Sequence, residues 1–504
     1  MKLSKFLFTS IIIFFCFGVV YSQNPFFDRN SDDIVAISWS HSGDFLVVGY
    51  YDGQVKLFSS DGELLRLIKV YPSPVTAMAW SPNDSQFILS AGRGGSEVVA
   101  VELWNTADWV SQPIGYNSPD IIISFVWNPD NNYVFAGTGN ANSSDGKTLW
   151  VWDSNGQFIT NLAKSSIHNL SISPDNQKIA ISDWDNIQIL NTTNYQEIIR
   201  LQSNSNFIIS PVTSFLWTAD SSKLISGYYN GKIHVWDINS LSTTPIFELF
   251  ATNNPRPDLY LLEYMIRDLY IQNNQLYAIS GNGEIRVWDL ITGQLINQQV
   301  LEIDERILSA NFNTTTNEVA YDGIGTTGVQ ITDVCTLSLT NSLETDLISI
   351  INQALSFSQA TICLTENAPY TLTVTLPNIT GEITIIGNGA SITMTGGAQI
   401  FNVAQNGSLT LKAVTISGGN ATEGGAIYNA GDLILENVIL LNNSAVRGGA
   451  IYNTGNLMMN GGAIQNNSAS EFGGGIYNAG EMNLDGVNIR ENDAPEGSGV
   501  YQGG

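Results

Sequence analysis

Two internal repeats of different length divide this chain, and repetition constrains its fold more than any other feature. From Ile34 to Asp333 one unit recurs. Each copy holds an apolar strand with an aromatic or aliphatic end residue, a polar turn, a second strand, a Gly-rich hairpin and a third strand. The end residues are Trp39, Trp80, Trp127, Ile172, Trp217, Ile271 and Phe312, spaced by 41, 47, 45, 45, 54 and 41 residues. Period-two strands with Asp-Gly and Asn-Gly hairpins read as antiparallel β-structure. A unit of this size cannot bury its own apolar face, so the copies must pack radially against one another.

Three copies end their third strand on Trp-Asp, at Trp152-Asp153, Trp236-Asp237 and Trp288-Asp289. With the spacing and turns, these motifs resemble WD40 repeats, and the resemblance implies a seven-bladed β-propeller over 23–333. The Gly-His pair of that family is missing, which implies that its buried His–Ser–Asp network is absent from most blades. His41, His168 and His234 fall at unrelated repeat positions and read as strand or surface histidines rather than ligands. The outer strand of blade seven could come from near Leu337 or from near Phe26-Phe27.

After Asp333 the pattern changes. Ser342–Phe357 reads as one amphipathic helix with Leu343, Leu347, Ile351 and Leu355 on one face and Ser342 as N-cap. A block then repeats, GGAIYN at 424–429 and 448–453, GGGIYN at 473–478 and GSGVYQ at 497–502. That period suits one coil of a right-handed parallel β-helix, in which like stacks on like. Ile427, Ile451, Ile476 and Val500 would form an internal ladder, and Asn443, Asn467 and Asn492 a hydrogen-bonded one. The block resembles the GGAI-type repeats of polymorphic outer-membrane proteins. Cys335-Thr-Leu, the helix and TICLTENAPYTLT resemble the cap of secreted bacterial β-helix proteins with a CSLREA motif, although the Arg-Glu pair of that motif is not matched. The expected fold class is thus all-β, with 334–372 as linker and cap and 373–504 as β-helix. Nothing in the sequence covers the rung near Val500 and Tyr501, so self-association through an open β-helix end is expected, or else a continuation of the stack.

At the N-terminus, Lys2 and Lys5 precede an apolar run from Phe6 to Val20, and 1–22 reads as a secretory signal peptide. Outside the cytosol Cys335 and Cys363 could form a disulfide, or remain two buried thiols; their spacing does not decide. The net charge is -26, with 20 basic residues against 46 acidic. A chain this acidic has no basic stripe for phosphates, which argues against nucleic acid.

Little in the sequence points to catalysis. The chain has no GxSxG, HExxH or P-loop, and no cofactor or metal is expected. By repeat alignment Lys412, Glu436, Asn460 and Asp485 share one column, and Ser408, Asp432, Asn456 and Glu481 another. Acids two rungs apart, about 10 Å at ~4.8 Å per rung, are too far apart to share a metal ion. Asp52, Asp130 and Asp175 sit in turns that turn chemistry explains. The hairpins between second and third strands stand out instead: Tyr50 and Tyr51 in blade one, Arg93 in blade two, Trp184 in blade four, Tyr228 and Tyr229 in blade five. Tyr, Trp and Arg dominate binding hot spots, although strand alternation would turn half of each tyrosine pair inward. The expected function is non-catalytic binding, adhesion or scaffolding by a secreted or cell-surface protein that presents a propeller face on a β-helical stalk, with a protein or glycan partner. The alternative is a carbohydrate-active enzyme that uses the β-helix.

Overall fold

In the first repeat the alternating run Ile34–Trp39 is the innermost of four antiparallel strands, followed outward by Phe45–Tyr50, Gln54–Ser59 and Leu64–Val70. Burial decreases along that order. Leu46, Val47 and Val48 are sealed, while Leu64, Leu65 and Leu67 on the outer strand are exposed. The structure, a computed structural model, describes residues 34–503 except 61, 93–98, 117–119, 140–147, 163–165, 185, 203–209, 253–263, 273, 302–305, 314–317, 324–329, 340 and 358. The signal-peptide segment 1–22, Phe26-Phe27 and Arg93 lie outside the described residues. The chain divides into two units, Met1–Val334 and Cys335–Gly504.

The first unit is the seven-bladed propeller. Its inner strands are Ile34–Trp39, Val75–Trp80, Ile122–Trp127, Asn169–Ile172, Val212–Trp217, Ile266–Gln272 and Ile307–Asn313. Each packs on the next, and the last returns to the first, which closes the ring. Tight seams between blades need small residues. Gly49 and Gly227 stand at matching places in their second strands, where an added Cβ would meet Val75 and Ile266 of the next blade at 2.7 Å. Six blades have four strands, and blade seven has three among the described residues, Ile307–Asn313, Glu318–Gly323 and Gln330–Asp333. Leu337 does not supply the missing one. Leu337–Ser338 pairs in parallel with Ile362 and Cys363 in the second unit.

The Trp-Asp dipeptides divide their labour by alternation. Trp152, Trp236 and Trp288 point into the blade seams and are buried. The aspartates, one residue on, organise the outer turn. Asp289 Oδ1 accepts the N–H groups of Ile291 at 2.8 Å and Thr292 at 2.7 Å, and Asp237 does the same for Asn239 and Ser240.

The second unit is a parallel β-solenoid. Its sheets have seven, six, five and three strands, the longest running from Leu337–Ser338 to Glu481–Asp485. Strands Leu337–Ser338 and Gln359–Cys363, in the segment expected as linker and cap, already belong to that sheet. The register stacks Ile427 on Ile451, Ile476 and Val500. Asn443 Nδ2 donates to Asn467 Oδ1, and Asn467 Nδ2 to Asn492 Oδ1, each at 3.0 Å. A second buried ladder runs through Asn429, Asn453 and Asn478 at 2.7 and 2.6 Å. The bonds made along the ladder offset the cost of desolvating these buried amides, and they hold the register.

The helix is shorter than the sequence predicts, Glu344–Ala354, with Leu343 rather than Ser342 at the N-cap and no side-chain cap bond. It buries Leu347, Ile350, Ile351 and Ala354, while Leu343 is exposed. Glu344 explains the start. Its carboxylate accepts the N–H groups of Thr373 at 2.5 Å and Val374 at 3.0 Å, tying the first turn to the bend that follows strand Pro369–Leu372. Those bonds hold its pKa below the usual carboxylate range. Cys335 and Cys363 are joined by a disulfide, their Cα atoms 5.7 Å apart, which fastens the segment before the helix to the strand after it.

Candidate binding face

Antiparallel order sends alternate turns to alternate ends of a blade. The second-to-third-strand hairpins therefore share one face with the links between blades. Hydrogen bonds stitch the two together. In blade one the Gly53 N–H closes the hairpin on Tyr50 O at 3.1 Å, and Gly53 O accepts the Tyr71 N–H at 2.9 Å. Gly53 has φ 86°, and a Cβ there would lie 2.1 Å from Tyr71 O. Only glycine fits. Blade five repeats the design, with Gly231 N–H on Tyr228 O and Ala251 N–H on Gly231 O.

Each tyrosine pair is split by these hairpins. Tyr50 is 7% exposed and packs with Ile34 and Ala320 at the seam of blades one and seven, with Lys56 Nζ 4.3 Å from its ring centroid. Tyr228 is 1% exposed, and its hydroxyl accepts from Ser226 Oγ at 3.2 Å. Ser226 Oγ in turn accepts from Trp236 Nε1 at 2.9 Å. Tyr228 thus belongs to an internal Trp–Ser–Tyr network, built in a blade that lacks the Gly-His pair. The expectation that Tyr50 and Tyr228 present a binding surface is corrected on this ground, since the last residue of a second strand points inward. Tyr51 and Tyr229, one residue on, are half-buried.

Trp184 is half-buried in the blade-four hairpin and has φ 58°, an unusual conformation for a bulky residue. Two bonds hold it there. Its N–H donates to His168 Nδ1 at 3.5 Å, and its carbonyl accepts the Val212 N–H at 2.9 Å at the entry to blade five. The His168 and Trp184 rings are 5.5 Å apart. Burial pushes the His168 pKa down, against the pull of Asp183, so the imidazole is neutral and accepts through Nδ1. Tyr51, Trp184 and Tyr229 therefore remain as half-buried aromatic positions on the hairpin face.

The propeller axis holds a cavity of about 200 Å3 walled by inner strands, with Ser124, Thr213, Arg267 and Ser309 among its polar lining. Among the described residues no group of three or more His, Cys, Asp or Glu could hold a metal ion. The expected acid columns of the solenoid exist in register, but their members pair with one another. Lys412 Nζ lies 3.5 Å from Glu436 Oε2, and Asn456 Nδ2 donates to Asp432 Oδ1 at 2.7 Å.

A column that sequence reasoning missed lies in the solenoid. Tyr428, Tyr452, Tyr477 and Tyr501 stack at centroid distances of 5.6, 4.8 and 5.4 Å. The Arg447 guanidinium sits 5.4 Å from the Tyr452 ring and pairs with Glu423. The signal was present, since each GGAIYN block carries tyrosine after its core isoleucine.

Comparison with known proteins supports the propeller. A family model described as WD domain, G-beta repeat matches residues 203–237, and one described as Eukaryotic translation initiation factor eIF2A matches residues 13–170. The chain is 22% identical over 276 residues to the WD repeat-containing protein WDS homolog of Arabidopsis thaliana, covering 52% of this chain and 48% of the relative. It is 21% identical over 203 residues to the Intraflagellar transport protein 80 homolog of Mus musculus, covering 40% and 24%. It is 23% identical over 223 residues to the B-type cell cycle switch protein ccs52B of Medicago truncatula, covering 42% of each. The matched part thus spans less than half the length of each of these relatives. Spacing, blade topology and matches agree: the chain carries WD40 repeats in a seven-bladed propeller, followed in sequence by a parallel β-solenoid.

Proposed function

We propose that this protein is a non-catalytic binding or scaffold protein of the cell exterior, which takes a protein or glycan partner on the hairpin face of the propeller. The observation that carries the reading is the set of half-buried aromatics on one face, Tyr51, Trp184 and Tyr229, with Trp184 fixed in a strained backbone conformation. Aromatics anchored in this way contribute contact area at low entropic cost. The WDS homolog, itself named as WD repeat-containing, supports a repeat-based interaction role. The basic start and apolar run of 1–22 and the Cys335–Cys363 disulfide favour an oxidising compartment. The likeness to capped, secreted β-helix proteins agrees with display at a surface. Pairing of the solenoid acids with Lys412 and Asn456 argues against a carbohydrate-active enzyme.

The test is a protein and glycan array probed with the secreted chain and with a Tyr51→Ala, Trp184→Ala, Tyr229→Ala variant. Ligands retained by wild type should be lost by the variant. Equal binding by both would reject the face. The N-terminal mass of the secreted chain should begin at Gln23, and retention of Met1 would reject the exported location.

A further inference from the structure

The opposite face of the propeller, where first-to-second and third-to-fourth strand turns meet, has a groove between blades one and two. It holds about 480 Å3 and is lined by Ser42 and Phe45 of blade one and by Asp84, Gln86, Asn105 and Trp109 of blade two. Trp109 lies in the turn between third and fourth strands with φ 56°. In blades one, three and six that left-handed position is glycine, Gly62, Gly156 and Gly293. A tryptophan there is strained, and such strain concentrates at binding sites. The turn enforces it through the Trp109 N–H, which donates to Asn105 O at 2.8 Å.

The ring is held as firmly as the backbone. Trp109 meets Trp80 edge to face at 5.9 Å, and Trp80 is itself fixed by its Nε1 bond to Ser38 O of blade one at 3.0 Å. Among the described residues no ring stacks face to face on Trp109. Phe45, 38% exposed, completes the apolar part of the groove. The polar rim is equally ordered. Asp84 accepts the His41 and Ser42 N–H groups at 2.8 and 2.7 Å, which locks the two blades together. Gln86, at the edge of the groove, donates its amide to Ser154 O of blade three at 2.8 Å, which fixes that wall. Asn105 Oδ1 accepts the Ala107 N–H at 2.9 Å, which leaves its amide protons. Among the described residues no lysine or arginine lines the groove.

The two aromatic positions recur once, although Ile172 and Lys178 stand where blade two has Trp80 and Gln86. Between blades three and four, Tyr133, 43% exposed, matches Phe45 at the start of the second strand, and Tyr195 with φ 57° matches Trp109. The Tyr195 N–H closes its turn on Asn191 O at 2.9 Å, as Trp109 does on Asn105.

We propose that the groove between blades one and two binds a neutral pyranose, a terminal sugar laid on Trp109 with a hydroxyl accepting from the Asn105 amide. Sugar C–H groups are polarised positive and meet the negative face of an aromatic ring. A sugar hydroxyl can accept from the Asn105 amide while its own proton stays free for solvent. The volume lies within the usual range for small-ligand sites. Asp84 and the net charge of -26 disfavour an anionic sugar. The site is independent of the hairpin face.

The experiment is saturation-transfer NMR on the full chain with methyl glycosides of glucose, galactose, mannose and N-acetylglucosamine, and with N-acetyltryptophanamide. At least one glycoside should receive saturation, most strongly at its ring C–H protons. Trp109→Gly places the residue of other blades at the left-handed position, so the fold should persist while affinity falls by about tenfold or more. Phe45→Ser should weaken binding as a second, independent variant, and Asp432→Ala in the solenoid should not. Silence from every glycoside, unchanged binding in Trp109→Gly and Phe45→Ser, or saturation of N-acetyltryptophanamide alone would each overturn the proposal. The last outcome would mark the groove as a pocket for an aromatic side chain.

Discussion

Asn311 of blade seven accepts the main-chain N–H of Trp39, 272 residues earlier, at 2.9 Å. The same side chain donates to Asp268 Oδ2 of blade six at 3.0 Å. One amide thus links three consecutive blades across the point where the ring closes. Asn313 adds a second stitch, its Nδ2 donating to Gly43 O at 3.2 Å. Asn311→Ala should remove both Asn311 bonds and leave a polar group of each neighbour short of a partner. A loss of about 2–3 kcal/mol is expected, read as a lower urea midpoint with an unchanged slope.

Asp268 makes propeller stability depend on pH. The residue keeps some accessible surface, yet packed protein encloses its carboxylate, and this burial raises its pKa to about 6 against the bonds from Phe312, Leu269 and Asn311. The folded chain therefore holds this proton more tightly than the unfolded chain. Its contribution is greatest below about pH 4 and is lost as pH rises through about 6, a change of about 3 kcal/mol. Asp268→Asn should match wild type in acid and exceed it near neutrality. Parallel urea titrations at the two pH values check this, and a constant difference between the proteins would contradict it.

In the solenoid, position along the ladder should decide cost. Asn453 is fully buried and donates to Asn478 while accepting from Asn429. Asn453→Ala should cost about 2–4 kcal/mol, because two buried amides lose a partner. Asp432→Ala, at an exposed rung edge, should cost under about 0.5 kcal/mol. Chemical denaturation of the two variants separates these outcomes.

Reduction should weaken the start of the solenoid. The Cys335–Cys363 disulfide has a sequence separation of 28 and encloses the helix. Loop entropy assigns it about 3–4 kcal/mol. Cys335→Ser with Cys363→Ser, or dithiothreitol, should raise hydrogen exchange in Glu344–Ala354 before it affects the rungs around Ile451.

The repeats were legible because a periodic sequence forces a periodic environment. Once GGAIYN recurs, Ile451 must stack between Ile427 and Ile476 whatever the rest of the chain does. What stayed hidden depends on contacts remote in sequence. Strand alternation fits Leu337 to either unit, and only its parallel pairing with Ile362 decides between them. The heptad-like leucines place the helix, but its first residue is set by Glu344 reaching Thr373. Alternation also offered both readings of Tyr50-Tyr51 and Tyr228-Tyr229, and the inward member became clear only from the register of the second strand. Trp109 was invisible as a site residue because its meaning lies in the glycine it replaces, on a face where no motif drew attention.

The tyrosine column has an optical consequence. All 11 tryptophans of the chain lie between Trp39 and Trp288, and none follows Cys335. Indole emission therefore reports on the propeller alone. Tyr428, Tyr452, Tyr477 and Tyr501, stacked at 4.8–5.6 Å, are close enough for their excited states to couple. They should give the solenoid an exciton signature in near-ultraviolet circular dichroism that vanishes when the rungs separate. The protein thus carries two spectrally distinct internal probes, one per unit, and the melting of each can be followed in the same cuvette without a label.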